Sequence, residues 1–317
     1  MPMKLLGIHH ITAIATDPQR NLDFYTDVLG LRLVKRTVNF DDPGTYHFYF
    51  GDRIGKPGTI ITFFPWPGAR RGTRGTGQVV ATSFAVPAKS IGYWSERLKK
   101  EGVIAEEKFR RFDEEGVRLV DSDGLLLEMI ASPHLDDVDL DFASAAPAEF
   151  AIRSFQAPTL EVQKAKSTEQ LLTMFGFHLS AEEGSRRRFA LNEGSTSARV
   201  DVIELPDGQI GNIAAGTVHH IAFRTANDEE QLHWRNQLVD LGLHVTPVID
   251  RQYFHSIYFR EPNGILFEIA TEGPGFAIDE PVEQLGGSLK LPKLLEAERE
   301  SIEQVLPPIE LRRAADR

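Results

Sequence analysis

The stretch IHHITAIATD, residues 8–17, recurs near the other end of the chain as VHHIAFRTAND, residues 218–228. Each copy combines a short apolar strand with two adjacent histidines and a polar break. A helix-like segment that reaches a glycine then follows, as NLDFYTDVLGL at 21–31 and as EEQLHWRNQLVDLGL at 229–243. Because glycine commonly ends a helix, both copies predict a strand followed by a helix.

Two further copies lie between these. VVATSFAVPA (79–88) and IRSFQAPTL (152–160) are strand-like, and each precedes a helix-like segment that again reaches a glycine. The second and fourth copies end in VRLVDSDGLLLEMIAS (117–132) and SIYFREPNGILFEIATE (256–272), where an Asp-Gly or Asn-Gly turn before an apolar run indicates a hairpin. The chain therefore predicts an α+β fold of four βαβββ modules with mixed sheets, numbered here from module one to module four.

The composition between the modules predicts the domain organisation. The segment at 136–149 is first acidic and then rich in small residues and proline, which is typical of a linker. We expect an N-terminal domain at 1–135 (modules one and two) and a C-terminal domain at 150–273 (modules three and four). Residues 274–317 would form a tail with one helix from Lys290 to Val305. The apolar stripe by which this helix would dock consists of Leu294, Leu295, Ile302 and Leu306.

The bulk composition excludes several classes of function. The 317 residues carry a net charge of −11, which disfavours nucleic acid and anionic membrane surfaces as partners. The absence of cysteine excludes disulfides, thiolate metal sites and thiol nucleophiles. The N-terminus does not resemble a signal peptide, and no stretch reaches the roughly 20 apolar residues of a membrane helix. We therefore expect a cytoplasmic protein without nucleic-acid or membrane partners, and a homo-oligomer remains open.

The paired histidines are candidate metal ligands. Neighbouring side chains on a strand point to opposite faces, so only one histidine of each pair should face a given cavity. We select His10 and His220, because module four also has Glu268 in its last strand. A charged glutamate within the apolar run ILFEIA is costly unless it is paired or metal-bound. A lone strand histidine is more often structural, but two matched pairs and a glutamate favour a metal site.

The other two modules lack histidine at the matching position, where module two has Ala81 and module three has Ser154. Modules one and four should therefore face each other and share one site, while modules two and three form its metal-free counterpart. Glu128 of module two matches Glu268, and we interpret it as a structural or vestigial carboxylate.

Two histidines and one carboxylate would leave several positions of an octahedral metal open. The residue of module one that matches Glu268 is Thr62, a poor ligand, so we expect no fourth protein ligand. This arrangement suits Fe(II) that activates O2 beside a bound substrate, with Mn(II) as the alternative metal.

Over essentially the whole chain, these modules resemble the vicinal oxygen chelate superfamily of glyoxalases, bleomycin resistance proteins and dioxygenases. The segments around both histidine pairs and Glu268 look more specifically like bacterial hydroquinone-type ring-cleaving dioxygenases. The resemblance implies two glyoxalase-like domains with curved sheets, and Fe(II) held by His10, His220 and Glu268. It implies extradiol-type cleavage of a hydroquinone-like aromatic diol by O2. The catechol-cleaving members take ligands from modules three and four, which Ser154 does not allow here.

The same resemblance implies polar groups around the bound ring at His9, Thr12, His219, Arg251 and Tyr258. His9 or His219 would take the phenolic proton. Arg251 and Tyr258 would stabilise developing negative charge and, with Thr12, bind the substrate. The structural alternatives are a surface ion pair for Arg251, strand packing for Tyr258 and strand filling for Thr12.

The sequence leaves two other functions open. One is a different metalloenzyme of the superfamily, such as a glyoxalase-type isomerase or an epimerase, whose sites usually have a fourth protein ligand. The other is a non-catalytic module that binds an aromatic compound, although sequestration needs no open metal positions. Neither His47 nor His255 has a matched partner in another module, and we do not expect either to be a ligand.

Overall fold

The computed structural model describes residues 3–133, 135, 137–191 and 195–311, with only the backbone of residues 106 and 107. The predicted domains, linker and tail also include residues 1, 2, 134, 136, 192–194 and 312–317, which lie outside the described residues. None of the described helices is both long and apolar enough to cross a bilayer.

Each module contributes strands and one helix to the α+β fold. Module one contains β1 (Ile8–Ala15), α1 (Pro18–Asp23), β2 (Arg32–Asn39), β3 (Asp42–Gly51) and β4 (Ile60–Pro65), with a π-helical turn (Phe24–Val28) after α1. Module two contains β5 (Gln78–Pro87), α2 (Ile91–Lys100), β6 (Ala105–Arg111), β7 (Glu114–Val120) and β8 (Leu126–Ser132). Module three contains β9 (Ser154–Phe155), β10 (Thr159–Val162), α3 (Ala165–Met174), β11 (His178–Glu183), β12 (Arg186–Ala190) and β13 (Arg199–Glu204). Module four contains β14 (Val218–Thr225), α4 (Asp228–Asp240), β15 (Ile249–Asp250), β16 (Phe254–Arg260) and β17 (Leu266–Pro274).

Local sequence explains where the helices of modules one and four begin. Asp17 accepts a hydrogen bond from the backbone of Arg20 at the start of α1, and proline occupies the first helical position. Asn227 caps α4 in the same way, and three acidic residues in the first turn complement the helix dipole. Trp234 and Leu238 then form the buried face of α4, which packs on the sheet of its own module.

Two curled sheets combine modules from opposite halves of the chain. The first has the strand order β15-β16-β17-β14-β1-β4-β3-β2, and the second has the order β11-β12-β13-β10-β5-β8-β7-β6. Module one therefore shares a sheet with module four, as predicted, and module two shares one with module three. Each sheet takes one module from each side of the segment at 136–149. The linker at 136–149 and the domain division around it remain predictions.

The tail differs from its prediction. The helix α5 spans only Arg299–Val305, and a 3₁₀ segment, Lys293–Glu298, replaces the expected first half. Ile302 and Leu306 are buried as predicted, but Leu294 is 91% exposed. The reason is geometric, since a 3₁₀ helix has three residues per turn and does not continue the apolar stripe of an α-helix.

A buried ion pair attaches the tail to the first sheet. The Nζ atom of Lys35 on β2 has no exposed surface and lies 2.6 Å from carboxylate oxygens of both Asp279 and Glu280. It also lies 5.0 Å from the centre of the Tyr253 ring, next to β16. Lys35 therefore links module one to the tail and to module four at the same point.

Replacing Lys35 by Met should lower the free energy of unfolding by about 3 kcal/mol, because it leaves buried carboxylate without its cation. Lys100, which is exposed at the end of α2, supplies the control, and Lys100→Met should unfold like the wild type. Equilibrium urea unfolding measures both variants. Equal stability of the two variants would show that the Lys35 ion pair does not hold the tail.

Candidate metal centre

Strand pairing between β1 and β14 brings together the residues of the candidate site. The two strands are antiparallel, with Thr12 opposite His220 and His10 opposite Ala222. Ala222 is in turn the parallel register partner of Glu268 on β17. His10, His220 and Glu268 therefore point to one place, and a ligand atom from each lies within 4.8 Å of the others.

The three side chains are buried and close enough to share one ion. The Nε2 atoms of His10 and His220 lie 3.2 and 3.0 Å from Oε2 of Glu268, and 3.3 Å from each other. Within the part of the chain that the structure describes, these three residues form the one histidine and carboxylate group suited to a metal ion.

The expectation that the two histidines of a pair point to opposite faces is wrong. The register shifts by one residue between Ile8 and His10 and again between Thr12 and Ala13, where β14 has its own extra residue, His219. These irregularities are β-bulges, which change the direction of a side chain. As a result Nδ1 of His9 lies 2.9 Å from Nδ1 of His10, and the corresponding distance from His219 to His220 is 2.8 Å.

The bulge partners orient the imidazoles of the candidate ligands. Burial, followed by the neighbouring His10, lowers the pKa of His9 well below its ordinary value, so His9 is neutral. A hydrogen bond to the backbone of Thr271 acts to raise the pKa of His9, as expected when His9 donates this bond. A neutral His9 then accepts at Nδ1 from Nδ1–H of His10, which directs Nε2 of His10 at the cluster.

Glu268 has the properties of a metal ligand. It is fully buried, and Ser256 donates a hydrogen bond to its Oε1, whereas its Oε2 faces the Nε2 atoms of His10 and His220. Burial acts to raise the pKa of Glu268, but His10 and His220 outweigh it and hold this pKa well below the ordinary value. An ionised oxygen facing two imidazole nitrogens is the donor set that a divalent cation satisfies, so the residues fit a metal.

A cavity of about 390 Å³ opens above this cluster. Its polar lining comes from His10, Asn39, Asp41, His47, His219, His220, Thr246 and Arg251. Its aromatic and aliphatic lining comes from Phe40, Tyr49, Phe64, Trp66, Ile249, Phe254, Tyr258 and Leu266. The aromatic share of this lining suits a planar ring.

The remaining predicted residues occupy different places around the cavity. His219, Arg251 and Tyr258 line it, and Nε of Arg251 donates to the hydroxyl of Tyr258 at 3.1 Å. His9 lies behind His10 against Phe254, with ring centres 4.9 Å apart.

Thr12 lies beneath the cavity lining, where it is fully buried and its hydroxyl is 2.9 Å from that of Thr62. Thr62 on β4 is the parallel partner of Thr12, two residues after His10, just as Glu268 is the parallel partner of Ala222, two residues after His220. The register therefore confirms the match between Thr62 and Glu268.

Sequence reasoning missed three residues that contribute to the site. His47 and Tyr49 line the cavity, and Ser256 binds Glu268 from β16. The one feature of the sequence that could have identified them is the alternation of side chains along a strand. It places residues 47 and 49 on one face of β3, and residues 256 and 258 on one face of β16. By contrast, His255 points away from the centre and lies 2.6 Å from Asp228.

The second sheet places charged residues at the equivalent position. Glu128 is the register partner of Ser83, as Glu268 is of Ala222, and it binds Arg111 at 2.6 Å. Asp201 of module three occupies the same position on β13 and binds Arg188 at 2.7 Å.

The sequence alignment of module three was wrong by three residues. With Asp201 as the partner of Thr159, the counterpart of His220 is Ala157, not Ser154. Pro158 lies between β9 and β10 and interrupts the strand, which accounts for the shift. Module three still has no histidine at this position.

Comparisons with known proteins give the family of this chain. The model of the Glyoxalase/Bleomycin resistance protein/Dioxygenase superfamily matches residues 7–129 and 165–269. The chain belongs to this superfamily. MhqO of Bacillus subtilis, named as a ring-cleaving dioxygenase, is 48% identical over 98% of this chain and 99% of its own length. Such similarity groups this chain, within the superfamily, with the ring-cleaving dioxygenases, which are oxidoreductases.

Two further relatives support the same grouping. The chlorohydroquinone/hydroquinone 1,2-dioxygenase of Sphingobium indicum is 32% identical over 95% of this chain and 96% of its own length. A crystal structure of a Bacillus subtilis protein described as a dioxygenase superposes with a TM-score of 0.93 at 48% identity, covering 98% of this chain and 99% of that one.

Glu268→Gln and Glu128→Gln form a matched pair that separates the two sheets. Glu268→Gln should lose most of its affinity for a divalent metal, because it removes the ionised ligand, and it should remain folded. Glu128→Gln should keep the metal but unfold more easily by about 3 kcal/mol, because Arg111 loses its buried counter-charge. Metal titration and urea unfolding of both variants test this. Loss of the metal in a folded Glu128→Gln protein would show that the metal binds at the second sheet and not at the first.

Proposed function

We propose that this protein is an Fe(II)-dependent, extradiol-type dioxygenase that opens the ring of a hydroquinone-like diol. The observation that carries the proposal is the cluster of His10, His220 and Glu268 beneath an aromatic cavity, with Thr62 at the fourth position. A threonine leaves room beside the ion, whereas a carboxylate there would occupy it. Mn(II) is the alternative metal. A cytoplasmic location remains a prediction.

The metal would be held by Nε2 of His10, Nε2 of His220 and the carboxylate of Glu268. When bound, Fe(II) supplies open coordination positions and an accessible redox change, which together allow O2 to react with an aromatic ring. The chain keeps these ligands ready through their outer partners: His9 and His219 orient the imidazoles, and Ser256 orients the carboxylate.

The cavity walls would bind and orient the ring. Phe64 and Phe254 provide apolar surface, while Arg251 and Tyr258 provide hydrogen-bond donors beside it. Because Nε2 of His220 would bind the metal, its Nδ1–H donates to Nδ1 of His219, so a neutral His219 carries its hydrogen on Nε2 and would donate a hydrogen bond to the substrate oxygen instead of accepting the phenolic proton. Arg251 stabilises negative charge that develops on the substrate oxygen. Thr12 lies below the cavity lining and would act through its hydrogen bond with Thr62. His9 would position the imidazole of His10.

The net reaction needs no further co-reactant. Both atoms of O2 enter the product, and the ring carbon–carbon bond next to a hydroxyl-bearing carbon breaks. The ring supplies the electrons that reduce O2, so the substrate is oxidised and opened in one turnover. The role of the cavity is to hold the ring and O2 in a fixed mutual orientation.

Hydroquinone is the proposed substrate class for a physical reason. Catechol has two adjacent oxygens that can chelate a metal, whereas a hydroquinone has one oxygen near the metal and another across the ring. The second oxygen needs protein groups to hold it, and Arg251 with Tyr258 supplies them. The name of the Sphingobium indicum relative, a chlorohydroquinone/hydroquinone 1,2-dioxygenase, supports this choice.

The identity of the metal separates this proposal from an isomerase or epimerase. Protein loaded with Fe(II) should consume O2 in the presence of hydroquinone, whereas protein loaded with Zn(II) should not, because zinc has no accessible redox change. An oxygen electrode measures the rates, and elemental analysis confirms the metal content. Equal O2 consumption by iron-free zinc protein would contradict the proposal.

The substrate preference has its own measurement. Steady-state kinetics with hydroquinone, methylhydroquinone, catechol and 3-methylcatechol should give the higher kcat/KM for the two hydroquinones. A tenfold higher value for the catechols, about 1.4 kcal/mol of transition-state preference, would refute the hydroquinone assignment and leave a dioxygenase.

A further inference from the structure

One wall of the cavity contains a chain of hydrogen bonds that the proposed function leaves unused. The hydroxyl of Tyr49 lies 3.0 Å from Nδ1 of His47, and Nε2 of His47 lies 2.8 Å from the hydroxyl of Thr62. The hydroxyl of Thr62 then lies 2.9 Å from that of Thr12. Four side chains of module one are thus connected, from a buried strand beside the metal ligands to the surface of the cavity.

Tyr49 is the counterpart of Tyr258 on the opposite wall. Tyr49 on β3 is the register partner of Thr62, just as Tyr258 on β16 is the register partner of Glu268. Both tyrosines line the cavity. Burial raises the pKa of Tyr49 well above its ordinary value, and Tyr258 and Arg251 are the next strongest influences on it. Tyr49 therefore lines the same cavity as the two residues assigned to the far oxygen of the substrate.

The imidazole of His47 is held in a fixed position. Its ring lies between the rings of Tyr49 and Phe64, with centres 4.1 and 4.4 Å apart. Both ring nitrogens have hydroxyl partners, and burial, followed by the nearby His10, lowers the pKa of His47 well below its ordinary value. A neutral imidazole has one N–H and one lone pair, so the hydrogen bonds of His47 with Tyr49 and with Thr62 must run in the same direction through the ring.

Two directions are available, and they differ in what Tyr49 offers to the cavity. If the hydrogen bonds run from Thr12 through Thr62 and His47, the N–H at Nδ1 donates to Tyr49, whose own O–H is left to donate. If they run from Tyr49 towards Thr12, the O–H of Tyr49 is used and its oxygen can only accept. The chain reverses when His47 changes tautomer and the hydroxyls rotate, without any change in charge.

We propose that Tyr49 and His47 are positioning residues for the far oxygen of the substrate, with Thr62 and Thr12 completing the chain. This inference rests on the proposed function. A phenolic oxygen donates a hydrogen bond while it is protonated and accepts one after it has lost its proton. Because the chain can reverse, Tyr49 can serve both forms, whereas Arg251 can only donate.

The test compares the binding of two rings that differ only in the far oxygen. Titration calorimetry of the Fe(II)-loaded protein without O2 gives the affinities for hydroquinone and for phenol, with no turnover. Tyr49→Phe should weaken the binding of hydroquinone about fivefold, as expected for one neutral hydrogen bond, and change that of phenol by less than twofold. Tyr46→Phe is the matched control, because Tyr46 lies on the same strand but donates to the carbonyl of Pro307, and it should bind both rings like the wild type.

A double variant tests the chain itself. His47→Phe keeps an aromatic ring between Tyr49 and Phe64 but removes both ring nitrogens, and it should also weaken hydroquinone selectively. Since Tyr49 and His47 act as one unit, the double variant should lose no more than the weaker-binding single variant. Additive losses, or equal losses for phenol and hydroquinone, or no loss, would each overturn the inference. If wild-type protein binds hydroquinone selectively through Tyr49 but consumes no O2 with it, the proposed function fails and this inference stands.

Discussion

The antiparallel pairing of β1 with β14 is the constraint on which the site depends. It brings His10 and His220, from the two ends of the chain, to opposite strands of one sheet. The parallel neighbour β17 then adds Glu268 at the level of Ala222. A one-residue slip in this pairing would turn a ligand to the other face of the sheet, so the bulges at His9 and His219 set the register as well as the orientation of the ligands.

The two sheets show two physical solutions to one problem. Each places buried carboxylate near the middle of a curled sheet, where an unpaired charge is costly. The second sheet solves this with guanidinium groups, since Arg111 neutralises Glu128 and Arg188 neutralises Asp201. The first sheet has the imidazoles of His10 and His220 beside Glu268 and an open cavity above, so a metal ion is the natural counter-charge. The same architecture thus yields a structural ion-pair network on one side and a candidate reaction centre on the other.

Patterns that repeat along the chain made much of this predictable. Helix-ending glycines and matched histidine pairs were sufficient to predict four modules, the pairing of module one with module four, and the convergence of His10, His220 and Glu268. The bulges were not predictable, because a bulge depends on how two strands pair and not on either strand alone. The sequence also did not show that Pro158 interrupts the first strand of module three. This interruption moves the position equivalent to His220 from Ser154 to Ala157.

The role of His47 also could not be predicted from sequence. It has no partner in another module, and its surroundings are Thr62 and Phe64 on the neighbouring strand β4 and the ring of Tyr49 on its own strand. Leu294 shows a similar dependence on conformation, since its exposure follows from a 3₁₀ segment that apolar spacing alone does not indicate.

Anomalous diffraction at the iron edge tests the central claim most directly, using crystals of Fe(II)-loaded protein grown without O2. We expect one iron peak within bonding distance of Nε2 of His10, Nε2 of His220 and the carboxylate of Glu268, and none at Thr62. Iron bound instead at Glu128 and Asp201, or coordinated by His9 or His219, would contradict it.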